Sequence, residues 1–437
     1  MTASSLAIEI IQVLRDRGHT AYFVGGCVRD RLLGGNPKDY DIATNARPDE
    51  IVRYFPRAEK VGAHFGVMLV RGAAGVHVEV ATFRSDHSYS DGRRPDRVEF
   101  ETDPRQDVLR RDFTINALLE DPITGEVFDY VGGRQDLWEK RVRAIGDPIR
   151  RFGEDRLRML RAVRFAARLD FEIEEETFAA IRQLAPLIHE IAAERIRDEL
   201  VRILTEGGAR GGFELLDRSG LLAEILPEVK AMQGVAQPPQ FHPEGDVWTH
   251  TLLMLGKLDR PSPTLAMGVL LHDIGKPPTF RVAERIRFDG HVEAGVEIGA
   301  RILERLKFSR DDSDQILALI SNHMRFKDVQ NMRESTLKRF LRLPRFDEHL
   351  ELNRLDCVSS HGQLDSWEFM RHKRATLPAE QLRPPRLLRG GDLIAEGFEP
   401  GPAFGKALEE VETAQLEGLI GTREEALRIA RAALTKP

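Results

Sequence analysis

Cysteine is scarce in this 437-residue chain: Cys27 and Cys357 are the only two, and they lie far apart. That excludes a disulfide framework and a cysteine-rich zinc cluster, and it fits a reducing compartment. No apolar run approaches the ~20 residues of a membrane helix. The start, Met1-Thr-Ala-Ser-Ser, lacks the basic-then-apolar order of a secretory signal. The expectation is a soluble, cytoplasmic protein with no membrane partner. Net positive charge is also missing, with 64 Lys and Arg against 70 Asp and Glu, a balance of -6. Contact with nucleic acid therefore has to rest on local basic stretches. Arginines crowd the segment from Arg150 to Arg202 and recur at Arg383, Arg386 and Arg389. Repeats and low-complexity tracts are absent too.

What is present starts at Tyr22-Phe-Val-Gly25-Gly26-Cys-Val-Arg29-Asp30 and continues through Gly34-Gly-Asn-Pro-Lys-Asp39-Tyr-Asp41-Ile-Ala-Thr44. On a strand, residues two apart share a face, so Asp39 and Asp41 are expected to present both carboxylates together. Adjacent carboxylates repel unless a cation sits between them, and hard oxygen ligands suit Mg²⁺. Gly25-Gly26 lets backbone N–H groups approach a phosphate, and Arg29 can add a charge-assisted contact to the same anion. An Asp-x-Asp pair alone is common in surface turns. The glycine pair, the arginine and the apolar run after Asp41 raise this one to a metal-dependent phosphoryl-transfer site. The stretch resembles the first motif of the nucleotidyltransferase superfamily, in the branch of tRNA CCA-adding enzymes and bacterial poly(A) polymerases.

Downstream, Phe65–Val70 and Val76–Thr82 read as a hairpin around Gly72-Ala-Ala-Gly75. Glu79 interrupts the second run; it either faces solvent or, as the resemblance implies, joins Asp39 and Asp41 as a third metal-site carboxylate. The polar stretch 85–106, with Asp91-Gly92-Arg93-Arg94-Pro95, reads as a mobile loop. Arg110-Arg111-Asp112-Phe113 resembles the family's second motif, which implies that Arg111 and Asp112 serve the triphosphate and ribose. Asp129-Tyr-Val-Gly132-Gly133 resembles its hinge-like third motif.

Beyond residue 150 helical signals dominate. Glu154–Ala167 is expected to be helical, with Asp155, Arg158, Arg161 and Arg164 along one flank. Such a flank is either a solvated charged face or a reader of base and phosphate. A carboxylate accepts from an exocyclic amine while a guanidinium donates to the neighbouring acceptor. Cytosine and adenine offer that pair; uracil and guanine place an oxygen where the amine would be. The segment resembles the family's base-recognition motif, Glu-Asp-x-x-Arg. Glu194-Arg195-Ile-Arg197-Asp198-Glu199 resembles the next motif, a structural brace.

After a proline-rich break at 236–245, His250, the pair His272-Asp273 before Gly275-Lys276, and Asp356 reproduce the ligand order of HD-type phosphohydrolases, with His291 and His323 in between. Imidazoles and carboxylates make a mixed site for a divalent metal that can activate water. The tail resembles that of bacterial CCA-adding enzymes carrying an HD domain. The fold expectation is α+β: a mixed α/β nucleotidyltransferase head at 1–150, then a helical neck at 151–235, an HD domain at 236–370 and a helical tail at 371–437. The expected function is CCA addition to tRNA from CTP and ATP, with Mg²⁺ held by Asp39, Asp41 and Glu79. Gly26, Arg29, Arg111, Asp112, Asp155, Arg158, Arg161 and Arg164 are the expected nucleotide contacts. The alternatives are a poly(A) polymerase, a CC-only or A-only enzyme, an HD phosphohydrolase with a vestigial head, and a non-catalytic RNA-binding module. The complete first motif argues against the last two, and the lack of a long Lys/Arg-rich C-terminal extension argues against the first.

Overall fold

A computed structural model of the chain describes residues 2–62, 66–87 and 97–435. Its first helix, α1 (Ala3–Arg15), is started by a reciprocal cap in which Thr2 Oγ1 accepts from Ser5 N and Ser5 Oγ from Thr2 N. Leu6, Ile10, Ile11 and Leu14 recur at helical spacing and form its buried stripe. A seven-stranded mixed sheet follows, made of β1 (Ala21–Val24), β2 (Asp41–Thr44), β3 (Ala58–Gly62), β4 (Val67–Arg71), β5 (His77–Thr82), β8 (Leu119–Glu120) and β9 (Val127–Phe128). The strand order is β3-β4-β5-β2-β1-β8-β9. Within this sheet, among the described residues, only the β2–β5 pair is parallel. Val24, Ala43, Phe83, Val108, Ala117, Leu119 and Ile145 pack as one buried cluster in this region. Removing such side chains from water is worth about 1.5–3 kcal/mol for each large one. The sheet is therefore a firm base for whatever its strand ends carry.

Three expectations change here. Asp39 lies in the turn before β2 rather than on the strand, because Gly34-Gly-Asn-Pro keeps the chain irregular until Tyr40. The stretch 85–106 is not a single loop: β6 (Arg84–His87) pairs antiparallel with β7 (Arg97–Phe100), and helix Pro104–Leu109 follows, capped by Asp103. A hairpin of charged residues carries too little apolar alternation to be read as strand. The segment Asp91–Pro95 lies outside the described residues. Finally, the expected helix Glu154–Ala167 is two helices. One, Pro148–Glu154, ends where Asp155 turns extended (φ -149°, ψ 106°), and the next, Leu157–Leu169, begins after Arg156. Asp155 Oδ1 accepts from Leu157 N at 3.0 Å, the side-chain-to-backbone bond by which Asp leaves helix interiors for their starts.

The chain divides into two compact units, one holding Met1–Lys230 and the other most of Ala231–Pro437. In the first, helices Leu157–Leu169 and Ala193–Thr205 pack side by side. The second is helical apart from a two-residue ladder, Arg281–Val282 with Ile286–Arg287. It contains Val247–Leu255, Pro263–Leu271, His291–Arg305, Arg310–Asn322 and Phe346–Ser359, and toward its end Pro402–Leu416 and Arg423–Leu434. Among the described residues no helix is long and apolar enough to cross a membrane.

Candidate functional site

Strand register brings the first group together. Asp41 opens β2, opposite Val24 at the end of β1 and opposite Glu79 across the parallel β5 pair. On β5 the even positions Val78 and Val80 are buried while Glu79 is exposed, so alternation sends its carboxylate to the same open face as that of Asp41. The carboxyl of Asp41 is raised to about 6 by the surrounding chain, which displaces water from it, and by the charges of Glu79 and then Asp39, against the pull of Arg111. The side chain keeps solvent access while its carboxylate is poorly hydrated, as at the floor of a cleft. A negative group held so far from comfort fits a cation.

Gly25 completes this corner. Its φ of +77° favours glycine, and a Cβ there would stand 3.6 Å from Arg111 Nη1 and 4.0 Å from Asp41 Oδ2. The bare backbone thus lies beside both a guanidinium and the key carboxylate. Arg111 is aimed by buried Asp107, which accepts from its Nη2 at 2.9 Å. Arg29 is placed differently from the expectation: it is 2% exposed and donates to Asp30 at 2.6 Å and Asn116 at 2.6 Å. Asp112 is likewise turned inward, accepting from Arg161 at 2.5 and 2.8 Å and from Phe113 N at 2.8 Å. Burial alone would raise its carboxyl, but Arg161 holds it down to about 2.

The expected flank of four charged residues does not exist as one face. Each three-residue step falls about 60° short of a full helical turn, so nine residues roll roughly half-way around. Arg164 accordingly points inward to buried Glu199 at 2.7 Å. Arg158 and Arg161 turn to the loop Arg110–Asp112, with Arg158 Nη1 donating to Glu154 at 2.6 Å and its Nη2 to Arg110 O at 3.3 Å. Asp155, outside the helix, is held by Arg195 at 2.8 and 3.2 Å.

A second cluster lies in the other unit. Donor atoms of His250, His272 and Asp273 come within 4.8 Å of one another, and so do those of Asp273, His291 and His323. Asp356 Oδ1 stands 3.1 Å from His250 Nε2. The rings are oriented from behind: Nδ1 of His272, His291 and His323 donates to Val269 O, Phe288 O and Ile320 O at 2.9, 2.8 and 2.7 Å. That leaves the Nε2 atoms of all four histidines buried in the cluster with no hydrogen-bond partner. Buried orphan acceptors are rare, and lone pairs converging with carboxylates fit a metal. Burial pushes His323 down to about 4, so its imidazole is neutral, as a ligand must be. Burial opposes charge on His250 as well, but Asp356 and Glu244 push it up to about 9. Lys276 is buried against Asp273 at 2.6 Å. The His272-Asp273 turn reaches this place because Gly275 lets it lie against the next helix; a Cβ there would be 2.0 Å from His291 O.

Three families match the sequence in order. They are the poly A polymerase head domain at residues 21–143, the probable RNA and SrmB-binding site of polymerase A at 170–233, and the HD domain at 246–353. A CCA-adding enzyme of Streptococcus sanguinis (strain SK36) is 33% identical over 429 residues, covering 96% of this chain and 95% of that one. The chain belongs to the CCA-adding enzyme family. A CCA-adding enzyme of Lactococcus lactis subsp. lactis (strain IL1403) is 40% identical over 261 residues, which is 58% of this chain and 65% of that protein. With several such relatives the match spans about half to two thirds of their length. Among solved structures, the CCA-adding enzyme of Bacillus stearothermophilus in complex with CTP is 27% identical, with a TM-score of 0.76 over 99% of this chain and 98% of that chain. A Thermotoga maritima CCA-adding enzyme complexed with tRNA shares the fold at 21% identity and a TM-score of 0.59, over 98% and 95% of the two chains.

Within this family member, sequence reasoning passed over several residues that organise the sites. Asp107 and Asn116 aim the head arginines, and His291 and His323 complete the second cluster; Arg195, expected in the brace motif, holds Asp155. The two histidines were visible only as lone residues between motifs. Their common signal is a carbonyl three residues earlier in each case, Phe288 and Ile320, which no spacing rule singles out.

Proposed function

We propose that this protein adds C, C and A to the 3′ end of tRNA from CTP and ATP, releasing pyrophosphate. The observation that carries the reading is the Asp41–Glu79 pairing across β2 and β5, with Gly25 and Arg111 beside it. Asp39, Asp41 and Glu79 would hold Mg²⁺, whose chemistry there is to acidify the primer hydroxyl and neutralise the triphosphate. Gly25 and Gly26 offer the triphosphate close backbone approach, and Arg111 offers it a guanidinium. Asp155 and Arg158 would select the base, accepting an amine and donating to its neighbouring acceptor. Asp112 would act by fixing Arg161, while Arg29 and Arg164 brace the pocket from within. The work of the residues is then in-line positioning and charge stabilisation. Gel-resolved extension of tRNA lacking its CCA end, with CTP, ATP and Mg²⁺, tests this. A product three nucleotides longer supports the proposal, and long adenylate tails would favour a poly(A) polymerase.

A second activity has its own supporting observation, the four buried Nε2 atoms around Asp273. His250, His272, Asp273 and Asp356 would hold a divalent metal, and His291 and His323 with Asp273 offer room for another. The chemistry supplied when metal is bound is activation of water for hydrolysis of a phosphate ester, and the proposed substrates are 2′,3′-cyclic phosphates and 2′-nucleotides.

A further inference from the structure

We propose that Glu244 is the positioning residue of the HD centre, holding the ligand His250 in its metal-binding tautomer; this rests on reading the cluster as a metal site. The reason lies in where the four imidazoles sit. His272 and His323 lie at helix ends and His291 at a helix start, so each Nδ1 reaches a carbonyl three residues back. The carbonyls behind His272 and His323 belong to the last turns of their helices and lack helical partners, while Phe288 O lies outside the helix and takes the His291 ring beside the backbone N–H of His291 at 3.1 Å. His250 is inside helix Val247–Leu255, and Val247 O, three residues before it, already accepts from the Thr251 hydroxyl at 2.9 Å as well as lying in the helical ladder. Its Nδ1 needs an acceptor from elsewhere in the chain.

Glu244 supplies it. Its Oε1 accepts from His250 Nδ1 at 2.7 Å and from His242 Nδ1 at 2.9 Å. An ionised carboxylate only accepts, so both Nδ1 atoms carry protons, and in the neutral ring that a metal binds the His250 lone pair falls on Nε2. That nitrogen stands beside Asp356 at 3.1 Å. The carboxylate is nearly inaccessible, at 7%, and its Oε2 has no hydrogen-bond partner. A desolvated charge of this kind is costly to keep, and behind a ligating imidazole it fixes ring orientation and increases the basicity of the ligand.

The test uses the full chain stripped of metal by a chelator, with Mn²⁺ as the probe in calorimetric titration. Glu244→Ala is expected to weaken Mn²⁺ binding about 10–100-fold, and Glu244→Gln less, because its amide oxygen still accepts from Nδ1. The unfolding temperature of the stripped Gln variant should match that of the parent. Unchanged Mn²⁺ affinity in both variants overturns the proposal. So does a weakening that only tracks lost stability of the stripped protein, which would make Glu244 a structural latch. Should the Ala variant fail to fold, the Gln variant decides. His250→Ala serves as the reference: if it binds Mn²⁺ as the parent does, the metal-site reading fails, and this inference with it.

Discussion

At the scale of single residues, Asp41 and Asp112 are opposites, and each makes a prediction. The carboxyl of Asp41 is raised to about 6 by its surroundings, Glu79 and Asp39, above an unfolded value near about 3.9. Its ionised form therefore costs stability above pH 6, and the cost disappears as pH falls below the unfolded value. Asp41→Asn should cut nucleotide addition by at least ~100-fold, while the urea midpoint at pH 7 stays level or rises. Near-normal incorporation by this variant would sink the metal-site assignment. Asp112 is held at about 2 by Arg161 against burial, so its contribution is present above the unfolded value and lost as pH falls through the folded one. Asp112→Asn should lower stability at pH 7 by an amount on the order of 2 kcal/mol. The gap between parent and variant should close between about pH 4 and pH 2, as followed by urea unfolding across that range. A gap independent of pH would mean that the Asp112–Arg161 charge pair is not its source.

At the scale of elements, the break at Asp155 sets it apart from the arginines of the helix that follows. An uninterrupted helix would point Asp155 and Arg164 to opposite sides, and the break frees Asp155 to sit beside Arg195. Asp155→Ala should relax discrimination against UTP and GTP, and losing the bond from Leu157 N should cost about 1 kcal/mol. Slower addition with an unchanged CTP-to-UTP preference would leave Asp155 a purely structural role. Gly275→Ala places a Cβ 2.0 Å from His291 O, so backbone has to move. We expect destabilisation of about 1–3 kcal/mol and weaker divalent-metal binding; a variant with parental unfolding and metal affinity would contradict that packing.

Much of this was legible in the sequence where local chemistry and register coincide. Strand Ala21–Val24 is a continuous apolar run and the hairpin around Gly72–Gly75 carries its own turn, and the order of His250, His272, Asp273 and Asp356 survives any packing. The helix break was not legible, because Glu154–Ala167 is helix-favouring throughout and the competing Asp155 bonds come from Leu157 N and distant Arg195. The strands β8 and β9, two residues each, are too short for periodicity to reveal. The burial of Arg29 depends on Asn116, which lies far along the chain. Distant partners account for the placing of Arg29 and Asp155, and element length for the two short strands.

At the scale of the whole molecule, the chain divides into two units that each carry a candidate site. Asp273 is buried with Lys276 and His323 in the second, so Asp273→Ala should abolish metal-dependent hydrolysis of a 2′,3′-cyclic phosphate while CCA addition persists. Loss of CCA addition in a folded Asp273→Ala variant would show the sites to be coupled. The central claim, that one pocket built by Asp41, Glu79 and the neck arginines writes a fixed trinucleotide, is tested most directly by feeding nucleotides one at a time. Purified protein is incubated with Mg²⁺ and tRNA lacking its CCA end, then with each nucleoside triphosphate singly and combined. The account predicts that CTP alone adds two residues, that CTP with ATP adds three and stops, and that UTP or GTP alone adds none. Open-ended adenylate tails, or extension with UTP as readily as with CTP, would contradict it.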